Sequence, residues 1–270
     1  MAVYATTFAS DITDVAQFGT VTLDHNWKTI MLNKNYTNPV VVAEPISFKG
    51  AQPAHIRINN VTSNSFQIKI EEWAYLDGVH VNETVSYLVM GTGTYTINGK
   101  KIEAGRTNAT NNFTTVLFTE NFTTTPVVLT QSQTVNEADP IVTRNRNANT
   151  TLFDVRIQEE ENSTDGGSHA TETVGYIAAE IGIYNNKTKF EVGRTGDSVT
   201  HNWFTINFNQ TYNNTPSFLA DMQTFDESDT AGLRYKNLTN SSVQIKVEEE
   251  QSLDSEVNHT TEVVGYFVIK

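Results

Sequence analysis

The chain contains no cysteine, so neither disulfides nor thiolate-bound metals hold it together, and its compartment is left open. Basic residues are scarce: 18 Lys and Arg face 31 Asp and Glu, and the net charge of −13 repels phosphate backbones, which argues against nucleic acid as a partner. No stretch approaches the ~20 apolar residues of a membrane-spanning helix, which argues against membrane insertion. The opening MAVYATTFASDITD has neither a basic n-region nor an apolar run, so no secretory signal is expected within the sequence. Catalytic signatures are missing too, with no Gly-x-Ser-x-Gly turn, glycine-rich phosphate loop or His-Glu-x-x-His. The acids that recur do so in triplicate, which suits multivalent binding better than a single carboxylate pair, and the expectation is a non-enzyme.

What the chain has is Thr, Asn, Val and Ile in short runs separated by polar turns, the composition of strands rather than surface helices. Those runs repeat. An Arg-x-x-Asn segment occurs at Arg57 to Asn60, Arg144 to Asn147 and Arg234 to Asn237, each Arg 18 residues after a proline (Pro39, Pro126, Pro216). Six residues past each Asn an alternating run begins: Phe66, Ile68, Ile70; Phe153, Val155, Ile157; Val243, Ile245, Val247. A period of two is a strand with one buried face. Each run ends in acids (Glu71 and Glu72; Glu159 to Glu161; Glu248 to Glu250), and a His-x-x-Glu-x-Val-x-Tyr strand follows at His80, His169 and His259. Upstream, Trp27, Phe113 and Trp203 each precede a second aromatic, Tyr36, Phe122 or Tyr212, by nine residues.

These spacings divide the chain into three tandem copies, residues 1–91, 92–180 and 181–270. The joints carry strand residues and turn signals such as Asn98-Gly99 rather than linker sequence, so the copies are expected to pack side by side. Five to six short strands in under 100 residues is the arithmetic of a small antiparallel sandwich, and the fold class is all-β.

The unit resembles the H-type lectin domain of snail agglutinin and discoidin-like lectins. The likeness rests on residues 36–42, an aromatic strand leading to Pro39 and an apolar run; on residues 57–73, an Arg strand and an alternating strand ending in Trp73; and on the closing Val-x-Tyr strand at 85–89. The resemblance implies a six-stranded antiparallel β-sandwich and three copies packed as a pseudo-trimer with sugar sites at the junctions. It also implies that His80, His169 and His259 contact sugar, with Trp73 stacking in copy 1, where copies 2 and 3 have Glu160 and Glu250. A sugar-contacting Arg of that family is replaced here by Pro53, Pro140 and Thr230.

Read from the residues alone, His80 with Glu83, His169 with Glu172 and His259 with Glu262 have three readings. They hydrogen-bond sugar hydroxyls, or the three imidazoles meet at one ion near a pseudo-threefold axis, or the pairs are structural. Arg57, Arg144 and Arg234 either read a ligand or pair with Glu72, Glu159 and Glu249, and the ion pair is the expected role. The acidic loops 136–139 and 226–229 are calcium candidates that copy 1 lacks, having Lys49-Gly50-Ala51-Gln52 there. No cofactor is implied beyond a structural divalent cation. Asn-x-Ser/Thr sequons stand at Asn35, Asn60, Asn82, Asn108, Asn112, Asn121, Asn149, Asn162, Asn186, Asn209, Asn213, Asn237, Asn240 and Asn258, either as glycosylation acceptors or as a by-product of Asn/Thr-rich loops.

Two functions follow. The first is a carbohydrate-binding adhesion or attachment protein whose partners are glycans or glycosylated surfaces. The second is a structural component of a virion or extracellular filament, partnered by other copies of the chain or by particle proteins. Both place it outside the cell, at a cell surface or on a virion.

Overall fold

In the computed structural model, which describes residues 7–163 and 168–270, the run at 66–70 is the strand its alternation predicts. Phe66, Ile68, Ile70 and Glu72 are buried, and Gln67, Lys69 and Glu71 between them are half-buried. The first copy comprises β1 (Thr7–Ala9), a single helical turn α1 (Ile12–Val15), β2 (Ala16–Leu23), β3 (Lys28–Met31), β4 (Val40–Val42), β5 (Ile46–Ser47), β6 (Ala54–Asn59), β7 (Ser65–Glu72) and β8 (Glu83–Met90). The second follows with β9 (Gly93–Ile97), β10 (Lys100–Ala109), β11 (Thr114–Leu117), β12 (Val127–Ser132), β13 (Val142–Arg146), β14 (Leu152–Gln158) and β15 (Glu172–Ala179). The third has β16 (Gly182–Ile183), β17 (Phe190–Val199), β18 (Phe204–Asn207), β19 (Ser217–Met222), β20 (Ala231–Lys236), β21 (Ser242–Glu249) and β22 (Glu262–Ile269).

Each copy builds a sandwich from two three-stranded layers: β2-β8-β4 with β3-β7-β6, β10-β15-β12 with β11-β14-β13, and β17-β22-β19 with β18-β21-β20. Local sequence explains the hairpins. Asn60, Asn147 and Asn237, the constant Asn of the Arg-x-x-Asn repeat, take left-handed φ of 49°, 57° and 51° at the turn that returns the Arg strand to the alternating strand. Asn tolerates that conformation better than most residues. Two residues on, the Thr62 and Thr239 hydroxyls accept the Ser65 and Ser242 amide N–H groups, and Asn149 does the same for Leu152. Asn98-Gly99 forms the tight β9–β10 hairpin, both residues at positive φ.

Each sandwich has its own core, and a fourth core lies between the copies. Along β8, Val85, Tyr87 and Val89 face the first sandwich, while Leu88 and Met90 face the shared core. The split recurs in β15, where Ile177 and Ala179 turn to the shared core, and in β22, where Phe267 and Ile269 do. A strand buried on both faces reads as continuously apolar, and this is why the closing strand lacks polar alternation. Two side-chain amides stitch the inner layers. Gln133 accepts from Val41 N at 2.9 Å and donates to Val41 O at 2.8 Å, and Gln223 does the same to Val128 at the same distances. Glycine makes room: a Cβ at Gly175 would stand 2.8 Å from Val40 and one at Gly265 would stand 2.4 Å from Val127.

The third contact, between copies 3 and 1, is built differently. Ser86 stands where the other copies have Gly175 and Gly265, and its hydroxyl accepts from Phe218 N. Ala220 N donates to Glu44 O, and β5 pairs in parallel with β20 of copy 3, joining layers of two copies into one seven-stranded sheet. Asp11 adds a tie by accepting from Lys187 N and Thr188 N; burial raises its pKa, but hydrogen bonds from Thr188 and Thr13 outweigh burial and hold it at about 2.

An isolated middle copy would expose Ile102, Val127, Leu129 and Ile177, at about 1.5–3 kcal/mol for each large apolar side chain. Residues 92–180 expressed alone are therefore expected to melt well below the full chain or to self-associate, which a thermal melt with sedimentation checks.

Candidate functional site

The repeated polar residues are brought together at the junctions, where each copy contributes to a cluster completed by its neighbour. In copy 1, the His80 ring lies between Glu72, 2.8 Å from Nδ1, and Glu83, 3.4 Å from Nε2. In copy 2, His169 lies between Glu159 at 2.6 Å and Glu172 at 3.2 Å; in copy 3, His259 lies between Glu249 at 2.6 Å and Glu262 at 3.3 Å. The inner carboxylate then meets an arginine from another copy. Arg234 of copy 3 reaches Glu83 at 3.0 Å, Arg57 of copy 1 reaches Glu172 at 3.5 Å, and Arg144 of copy 2 reaches Glu262 at 2.6 Å. The three contacts close a ring.

The loops 47–50, 134–137 and 224–226 complete each cluster. Their amides hold the glutamate: Lys49 and Gly50 N–H donate to Glu83, Asn136 N–H to Glu172 and Asp226 N–H to Glu262, with Ser47, Thr134 and Thr224 hydroxyls adding a short bond each. Their carbonyls hold the arginine, through Gly50 O to Arg234, Glu137 O to Arg57 and Thr224 O to Arg144. The acidic loops 136–139 and 226–229 overlap these cradles at Asn136 and Glu137 and at Asp226.

Every member of the three Arg–Glu–His chains is buried, with Glu83, Glu172 and Glu262 at 0% exposure and the histidines at 5% or less. Burial opposes the charged forms, yet partners prevail. Each histidine is raised above its usual 6.5 by its two glutamates, and Glu83, Glu172 and Glu262 are lowered from 4.5, chiefly by the histidine.

The structure corrects several expectations drawn from sequence. Arg57 is cross-strand from Lys69, on the face of β7 opposite to Glu72, so it takes Glu71 at 3.6 Å rather than Glu72. Arg144 likewise contacts Gln158, and Arg234 contacts Glu248, while Glu159 and Glu249 go to histidine. The three imidazoles do not converge, because each is fixed at a different junction; among the described residues no group of metal-competent side chains holds two of them. His80, His169, His259, Glu83, Glu172 and Glu262 do lie at junctions, but inside rather than at a groove mouth. Trp73 is 3% exposed and packs against His55 at 4.6 Å instead of offering a free face. Its counterpart Glu160 accepts from Ala74 N of copy 1, and Glu250 accepts from Glu161 N of copy 2, so this position ties the copies at one end of the assembly.

Open grooves lie beside these clusters. That between copies 2 and 3 has a volume of ≈ 370 Å³ and is lined by Asn111, Arg156, Gln158, Glu161, Ser228 and Asp229 among others. Its equivalent between copies 3 and 1 is smaller, ≈ 120 Å³, and lined by His201, Lys246 and Glu248. Arg156 lies 5.5 Å from the Phe113 ring and 5.5 Å from the Phe225 ring, and Lys246 lies 5.6 Å from Trp203 and 4.6 Å from Phe48. The recurring upstream aromatics Phe113 and Trp203 therefore rim the junctions, a role that their nine-residue spacing did not reveal. Gln133, Gln223 and this groove Arg were also not singled out from sequence, although both glutamines stand seven residues after a repeat proline.

All fourteen sequon asparagines are exposed. Asn60 and Asn237 also serve the fold, since their amides donate to Gln67 and Gln244 across the hairpin and their Thr residues cap the turn.

The chain is 36% identical over 254 residues to halomucin of Haloquadratum walsbyi. That match takes in 89% of this chain but 3% of halomucin, so the chain spans a small fraction of its relative's length. No family model and no solved structure matches it. Among the described residues no helix is long and apolar enough to cross a membrane.

Removing one partner from a buried ion pair leaves an uncompensated charge and typically costs about 3–5 kcal/mol. Arg144→Ala is expected to lower the unfolding free energy from denaturant titration by that order, against little change for the exposed Lys34→Ala. Because folding raises the pKa of His80, its stabilisation is complete below the unfolded value near 6.5 and disappears as pH rises through the folded value. The stability gap between the parent and His80→Gln should therefore shrink steadily as pH is raised above 6.5.

Proposed function

We propose that the chain is a non-catalytic, surface-displayed β module whose repeated His-x-x-Glu motif clamps its three copies into one block. The observation that carries this is the closed ring of Arg57–Glu172, Arg144–Glu262 and Arg234–Glu83 contacts, which buries the motif between copies and turns its glutamates toward protein partners rather than toward an open groove. The resemblance to H-type lectins is taken as one of architecture, with the junction ring and shared core supporting a pseudo-threefold assembly of three copies fused in one chain. Similarity to a segment of halomucin supports a place as one block of a longer protein at a cell surface, and the exposed sequons suit a glycosylated exterior.

The groove between copies 2 and 3 favours a second reading, carbohydrate binding. It offers an amide, a guanidinium and carboxylates from two copies beside aromatic edges, a lining suited to sugar hydroxyls. On this reading Asn111, Arg156 and Asp229 bind the glycan, and His169 and His259 only position the walls.

The two readings separate experimentally. His80→Ala is expected to lower the melting temperature by about 5–10 °C, the shift that a loss of ~3 kcal/mol gives in a chain of this size. A glycan array on the parent then decides between the readings: no binding supports the structural block, and binding that Arg156→Ala or Asp229→Ala abolishes without a loss of stability supports the groove.

A further inference from the structure

We infer that copies 2 and 3 each bind one transition-metal ion of the zinc type, in a site that copy 1 cannot form. In copy 2 the ligands are His169 Nδ1, Glu159 and Glu137; in copy 3 they are His259 Nδ1, Glu249 and Glu227. Within each set the three donor atoms lie within 4.8 Å of one another. Nδ1 of His169 is 2.6 Å from Glu159 Oε1 and 3.8 Å from Glu137 Oε2, and the matching distances from His259 are 2.6 Å and 3.6 Å. Zinc takes nitrogen and carboxylate oxygen at about 2.0–2.2 Å in a tetrahedron, which sets ligand atoms roughly 3.3–3.6 Å apart. The longer contact is already near that span, and the shorter one opens by less than about 1 Å through rotation of a carboxylate.

Three further features point to a metal. First, the far ring nitrogen is committed: His169 Nε2 faces Glu172 at 3.2 Å and His259 Nε2 faces Glu262 at 3.3 Å. A carboxylate on the distal nitrogen fixes the tautomer that leaves Nδ1 as a lone-pair donor, the usual support of a metal-bound histidine. Second, the charges balance differently between copies. In copy 1 the carboxylates of Glu72 and Glu83 face the two ring nitrogens of His80, and Arg234 pairs with Glu83. Copies 2 and 3 place a third carboxylate, Glu137 or Glu227, 3.8 or 3.6 Å from the histidine, and among the described residues no Lys or Arg side chain pairs with it, an excess of negative charge that a divalent ion would offset. Third, the added carboxylate is placed: Glu137 accepts from Ala170 N and Glu227 from Thr260 N, which aims each toward its histidine.

Copy 1 is the internal control. Gly50 stands where copies 2 and 3 have Glu137 and Glu227, and a Cβ there would lie 2.8 Å from His80 Nε2, so that site cannot gain the third ligand by substitution alone. Access in copy 2 comes from the groove between copies 2 and 3 and from a smaller cavity beside Ala74 and Pro140, both lined in part by Glu159. An imidazole with two carboxylates favours zinc or cobalt over calcium, which wants six or more oxygens.

The test is calorimetric titration of the full chain with Zn²⁺ after chelator treatment, repeated with Co²⁺ for its tetrahedral absorption bands. Two ions per chain are expected, one in Glu137→Gln or Glu227→Gln, and none in the double variant. Glu137 and Glu227 are 34% and 27% exposed loop side chains, and Gln retains an oxygen for the amide N–H, so the metal-free variants should melt with the parent. His169→Gln provides a second route to removing the copy 2 site. Absence of binding by the parent, or a stoichiometry that the double variant does not change, would overturn the inference.

Discussion

Everything else in the molecule is arranged around one contact, a guanidinium from one copy inserted against a buried glutamate of another. Taking two charges out of water is expensive, and the attraction between them compensates only when the remaining hydrogen-bonding capacity is met. Here that capacity is largely met by the chain itself. A loop supplies amides and a hydroxyl to each glutamate, the same loop supplies a carbonyl to the arginine, and a histidine supplies its distal nitrogen. The loop, the closing strand and the Arg strand must therefore hold fixed relative positions in every copy, and indels are confined to the turns beyond them.

The two kinds of junction chemistry divide the labour. The shared apolar core and the Gln133 and Gln223 stitches bring the inner layers together without direction-specific charge. The ion chains at the outer edges then set register, because a guanidinium displaced by one residue along its strand points to the other face. Buried pairs are screened by salt far less than surface pairs are. An acidic chain of net charge −13 is thus joined at its seams by contacts that ionic strength weakly affects, while its exposed carboxylates remain free to interact with solvent cations.

Copy 1 departs from the other two at linked positions. Ser86 replaces a strand glycine, β5 crosses to pair with copy 3, and Gly50 replaces a loop glutamate. Three fused copies are free to diverge in this way where three identical chains are not, and the departures fall at the seam that closes the ring. The sequons show a related economy at Asn60 and Asn237. An Asn needed for a left-handed turn and a Thr needed to cap it reproduce the acceptor pattern, so part of the sequon excess has a structural origin even though every such Asn is exposed.

By itself the sequence determined the all-β character, the three-copy repeat and the buried face of each alternating strand, because periodicity and turn residues are local properties of the chain. It also marked His-x-x-Glu and the Arg of each copy as the residues to watch. Only the tertiary structure decided what those residues meet. Arg57 and Glu172 are separated by more than a hundred residues, and nothing in the spacing of either says that one copy's arginine completes another copy's cluster. The same limit explains why Glu71 rather than Glu72 takes the Arg, since strand face is legible only once the cross-strand partner, Lys69, is known. Burial of the histidines, the ring of junctions and the gathering of Glu137 with Glu159 and His169 all arise from packing between copies, which a linear pattern does not encode in readable form.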